Sequence, residues 1–258
     1  MGTIGPKTMV RAAGIAALAA LAGSPATAQD AVALETRTSD GVLLHGQLHS
    51  AGLGPDAPIV LLLHQAGSSA RGEYGPLVPW LNGLGFRAAA WDLRAGGDRH
   101  GIPNRTVEAL GNGGSDDYCG SYPDLEAVLD ATMRLDGVDE AVVWGSSYSA
   151  ALAFRLAADR PDEVAAVIAF SPAAGGPMES CRPRDWLDGL RAPALALRPA
   201  GEMELESARE QRAILEGAGV AFEVIDDGVH GSSMLVDERT GHDMSAARTR
   251  VAAWLRSL

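Results

Sequence analysis

The sequence predicts an α/β fold, with a mainly parallel central sheet and helices on both faces, and three observations carry that reading. Apolar runs without alternation, such as Ile59-Val60-Leu61-Leu62-Leu63, suit strands buried on both faces. These runs alternate with segments of helical length along the chain, the pattern of successive βαβ units. At Val142-Val143-Trp144-Gly145-Ser146-Ser147-Tyr148-Ser149-Ala150 an apolar run ends in a small-residue turn and continues as an alanine-rich helix. A strand that turns so sharply into a helix lifts its apex residue, Ser147, clear of the sheet.

The elements follow in order. Residues 33–37 and 42–49 read as a strand pair across the tight-turn signal Ser39-Asp40-Gly41. Residues 59–64 are the first central strand, followed by the small-residue loop Gln65-Ala66-Gly67-Ser68-Ser69. A helix is expected over 74–84, with Pro76 and Pro79 near its start, and a second central strand over 86–92. Residues 96–122 read as a long irregular loop, of the kind that serves function. Then come a helix over 124–135, the strand 141–144 and its helix stopped by Pro161, and a strand over 164–170. An irregular stretch around Cys181, a strand over 194–198, a helix over 206–215, a strand over 222–225 and a closing helix over 245–258 complete the chain. Only residues 171–193 separate two of these strands, which leaves no room for a large lid.

The chain has 258 residues, 47% of them hydrophobic and 21% charged, the composition of a globular protein. Residues 1–28 read as a secretory signal peptide. Lys7 and Arg11 precede an apolar run over 12–22, and Ala26-Thr27-Ala28 places cleavage before Gln29. That run is too short to anchor a chain in a membrane. Residues 29–258 form one domain on this reading, exported to the periplasm or the medium. Cleavage leaves 19 basic against 33 acidic residues, a net charge of −14, with no lysine remaining. Such acidity argues against nucleic acids and anionic lipid as partners. Cys119 and Cys181 in an exported chain are expected to form one disulfide.

A serine hydroxyl is a weak nucleophile at neutral pH and needs an adjacent base. His230, in Gly228-Val229-His230-Gly231, follows the last predicted strand and so reaches the same sheet edge as Ser147. His45, His49, His100 and His242 are placed less well. A base of this kind needs an acid to fix its tautomer. Glu204, three residues past Gly201, is the expected acid, with Glu202 the alternative. The N–H of Tyr148 supplies one half of an oxyanion hole, and that of Ala66, or alternatively Gln65, the other. His64 is expected to brace that loop. No histidine pair has metal-ligand spacing, and the glycines of Gly111-Asn112-Gly113-Gly114 neither follow a strand nor open a helix, so neither a metal nor a nucleotide cofactor is expected.

Four motifs, His64-Gln65-Ala66-Gly67, Asp92-Leu93-Arg94-Ala95-Gly96-Gly97, Gly145-Ser146-Ser147-Tyr148-Ser149 and Gly228-Val229-His230-Gly231, resemble those of the α/β-hydrolase superfamily. Within it the chain looks most like small, lidless bacterial enzymes near the dienelactone hydrolases. It departs from them in having serine at 147, where dienelactone hydrolases use cysteine, and a glutamate as the acid. The resemblance implies a serine hydrolase that cleaves a small-molecule ester or related acyl bond through an acyl-enzyme. A peptidase or amidase with the same residues, and a binding protein on the same scaffold, are the alternatives.

Overall fold

The computed structural model describes residues 1–3, 31–111 and 113–258. The expected leader, apart from its first three residues, lies outside the described residues. Among the described residues eight strands form one sheet: β1 (Ala31–Arg37), β2 (Leu43–His49), β3 (Ile59–Leu63), β4 (Arg87–Asp92), β5 (Ala141–Ser146), β6 (Val164–Phe170), β7 (Ala194–Pro199) and β8 (Ala221–Ile225). Their order is β1-β2-β4-β3-β5-β6-β7-β8. β2 runs antiparallel to both β1 and β4, and every other pairing is parallel.

The two-residue period of a strand sorts the apolar runs between two cores. Leu61, Leu63 and Val143 join a cluster with α4 (Tyr122–Met133), α5 (Tyr148–Asp159) and Leu215 of α6 (Glu206–Gly217). Val60, Leu62 and Trp144 join another with α1 (Ala70–Tyr74), α2 (Val78–Gly83) and the terminal α8 (Ser245–Leu255). Both faces of the sheet are therefore covered, as unalternating strands require.

Two stretches differ from expectation. The helix expected over 74–84 is two short ones, because Pro76 falls between them and cannot donate the backbone bond that would join α1 to α2. Residues 96–122 are not wholly irregular. Asn104 caps α3 (Arg105–Leu110) by accepting from the N–H of Val107 at 2.9 Å, and Gly111 ends it at φ 65°. A further short helix, α7 (Asp237–Thr240), lies between His230 and α8. No large lid covers the carboxyl edge of the sheet among the described residues, and Cys119 and Cys181 are bonded, their Cα atoms 5.7 Å apart.

Buried polar side chains tie the loops of that edge together. The carboxylate of Asp92, at the end of β4, accepts from the N–H of Ala70 at 2.8 Å and from the N–H and Nε of Arg105 at 3.1 and 2.9 Å. It thus fixes the starts of α1 and α3 together. Arg94 grips Asp124 of α4 at 2.7 Å and Asp40 of the β1–β2 turn.

Candidate active site

In the turn after β5, strand and helix approach closely. A methyl group on Gly145 would lie 2.5 Å from Cα of Ala150, so only glycine lets strand and helix approach this closely. Ser147 takes φ 61° and ψ −117°, a conformation that costs of order 1–3 kcal/mol and is held by its surroundings. Its N–H donates to the carbonyl of Phe170 at 2.8 Å, and its own carbonyl accepts from Ala173 and Ala151. Ser149, one size larger than the usual glycine, is accommodated because its hydroxyl is used. It donates to the carbonyl of Leu63 at 2.7 Å and accepts from the N–H of Ser146 at 2.9 Å.

Ser147 opens into a cleft of about 450 Å³ lined by Gln65, Ala66, Arg99, His100, Val229, His230, Ser233 and Arg239. His230 is half exposed there, and its Nδ1 meets Oε1 of Glu202 at 2.5 Å. No hydrogen bond joins the Ser147 and His230 side chains among the described residues, and in unliganded sites such bonds are often long. The structure therefore brings Ser147 and His230 to one cleft and sets a carboxylate behind His230.

That carboxylate is Glu202, not the expected Glu204. Past Pro199 the chain does not run on extended towards α6; it winds at once into a 3-10 helix, Ala200–Glu204. The winding turns Glu202 back over the end of β7, where Arg198 holds its other oxygen. Glu204 ends the turn exposed, its carbonyl accepting from Arg209 at 2.6 Å. Burial opposes ionisation of Glu202, but the hydrogen bond and charge of His230, with Arg198, hold its carboxyl below the usual glutamate range.

The backbone donors are also sorted by the structure. The N–H of Gln65 is taken by Oε2 of the buried Glu73 at 2.7 Å, while that of Gly67 donates to Ala95. Ala66 lies between them with its N–H unpaired among the described residues, and Tyr148 presents the first N–H of α5. His64 braces the loop as expected: its Nε2 accepts from the N–H of Leu93 at 2.8 Å and its Nδ1 faces the carbonyl of Gln65 at 2.8 Å. Partial burial, with Arg239 and Arg99 nearby, pushes His100 down to about 4, so it is neutral at neutral pH.

Sequence reasoning missed the residues that hold His230 in place. The N–H of Ser232 donates to Oγ of Ser146 at 3.0 Å, and that of Gly231 to Oγ of Ser171 at 3.1 Å. Trp144 Nε1 donates to Oγ of Ser232 at 2.9 Å. The only signal for these contacts was a run of serines at strand ends.

A profile of the alpha/beta hydrolase fold family matches residues 58–193. The chain belongs to the α/β-hydrolase fold family. No curated protein matches its sequence. Solved structures with the same fold include an esterase of Pyrococcus furiosus, 18% identical, covering 88% of this chain and 92% of its own, with a TM-score of 0.65. A dienelactone hydrolase of Anabaena variabilis is 18% identical over 88% of this chain and 97% of its own, with a TM-score of 0.65. A putative dienelactone hydrolase of Klebsiella pneumoniae is 20% identical over 88% and 99%, with a TM-score of 0.60. At these identities the likeness is one of fold. Among the described residues of this α/β-hydrolase no group of acidic, histidine or cysteine side chains has the form of a metal site.

Proposed function

We propose that the protein is an exported serine hydrolase that cleaves a small-molecule carboxylic ester through an acyl-enzyme. The observation that carries this reading is the strained apex of Ser147 in the same cleft as a His230 whose Nδ1 is held by a carboxylate. Ser147 attacks the ester carbonyl while His230 Nε2 takes its proton. Glu202 fixes the imidazole with Nδ1 protonated and stabilises the cation as it forms. The oxyanion of the tetrahedral intermediate lies against the N–H groups of Ala66 and Tyr148. His230 then protonates the leaving alcohol, and a water activated by the same ring releases the acid. Hydrolysis by esterases of the same fold supports the choice of bond. The disulfide, and the absence among the described residues of any helix long and apolar enough to cross a membrane, are compatible with export.

The reading is tested with p-nitrophenyl acetate and butyrate. Ser147→Ala is expected to remove turnover above the background rate while leaving the circular dichroism spectrum unchanged. Undiminished turnover by the folded variant would exclude Ser147 as the nucleophile.

A further inference from the structure

β7 carries an unexpected charge. Its residues Ala194, Leu195, Ala196, Leu197 and Pro199 are all buried, as is Arg198, which is 5% exposed. A buried guanidinium is costly unless most of its donors are paired, and of the Arg198 nitrogens Nε alone finds no partner among the described residues. Here NH1 donates to Oε2 of Glu202, and NH2 donates to the carbonyl of Pro172 and to Oε1 of Gln211, the latter at 2.6 Å. Gln211 in turn reaches the carbonyl of Ala173 at 3.5 Å. The guanidinium is thus fixed to the turn after β7, to the loop after β6 and to α6.

We propose that Arg198 is a positioning residue for this site, holding one oxygen of Glu202 so that the other faces His230 in a single geometry. The inference rests on the triad reading above. A carboxylate bound through one oxygen can rotate to offer either oxygen, or a poorer angle, to the imidazole. Bound on both sides it has one orientation, and the ordering of His230 follows from it. The other groups around His230 are Arg99 and His100 from the loop after β4 and Arg239 of α7, which line the cleft with it. Asp227 on its own loop lies 3.8 Å from His242. Among the described residues the Glu202 carboxylate is held by His230 and Arg198, and none of these other groups touches it.

The test compares Arg198→Met and Arg198→Lys with the unaltered protein through kcat and KM on p-nitrophenyl acetate, with melting temperature measured in parallel. Arg198→Met is expected to lower kcat at least tenfold with KM little changed. Arg198→Lys keeps the charge but loses the fork. It should therefore lower kcat by fivefold or more, again with KM little changed. A lowered melting temperature with unchanged kcat in either folded variant overturns the proposal and leaves Arg198 a structural ion pair. If Arg198→Met does not fold, the kcat of Arg198→Lys alone decides, since an unchanged value there contradicts the positioning role. Ser147→Ala and Glu202→Gln are run alongside. Activity that survives both shows that the triad reading has failed, whereas loss in both with Arg198 variants unaffected fails this inference alone.

Discussion

At the scale of single residues, the placement of the carboxylate decides which glutamate the proposed triad uses. Glu202 Oε1 lies 2.5 Å from His230 Nδ1, whereas Glu204 is exposed at the end of the same turn. Glu202→Gln should therefore lower kcat by about 10³–10⁴-fold, because an amide no longer selects the right tautomer or stabilises the imidazolium. Glu204→Gln should change kcat by less than about twofold, as befits an exposed carboxylate. Steady-state kinetics on both variants check this, and the reverse ranking would return the role to Glu204. Ser146 has a different part. Its side chain is turned away from the cleft, which suggests that its loss is harmless, but its hydroxyl is the acceptor for the N–H of Ser232. Ser146→Ala leaves that buried donor unpaired at a cost of about 1–3 kcal/mol. The expected result is a lower midpoint in urea and a smaller loss of kcat than Glu202→Gln gives.

At the scale of elements, the disulfide joins the loop before α4 to the loop after β6 across a sequence separation of 62 residues. The neighbouring Tyr118 ring stacks on Tyr148 with centroids 5.1 Å apart, directly over the residue whose N–H is proposed to hold the oxyanion. In the chain-entropy account, closing a loop of this length stabilises by roughly 4 kcal/mol. The double variant Cys119→Ser with Cys181→Ser should therefore melt about 8–16 °C lower, if the whole of that term is realised. Calorimetry measures it, and an unchanged melting temperature would show that the bridge does not constrain the unfolded chain. Alkylation of the unaltered protein without reductant should add no mass, since the described residues hold no free cysteine.

At the scale of the whole molecule, the sheet and its two cores were legible because unalternating strands leave few arrangements: Leu61 and Leu62 must face opposite cores, and both need helices above them. The positions of Ser147 and His230 were legible for a related reason. Each follows a strand whose direction is fixed, so its loop must emerge at the carboxyl edge. Glu202 was not legible, since the choice between two glutamates depends on whether the chain after Pro199 winds or runs extended. The helix α3 went unread although Asn104 and Gly111, its cap and stop, stood at the right spacing. Arg198 was readable in principle, because a lone arginine among alanines and leucines in a buried strand demands a buried partner.

The central claim is that Ser147 is the nucleophile of a working site, and covalent labelling tests it most directly. The folded protein, treated with a fluorophosphonate at neutral pH and digested, should carry one phosphonyl group on the peptide that contains Ser147. His230→Ala should label far more slowly, and Ser147→Ala not at all. A phosphonyl group found on any other serine, or no label on the active protein, would contradict the account.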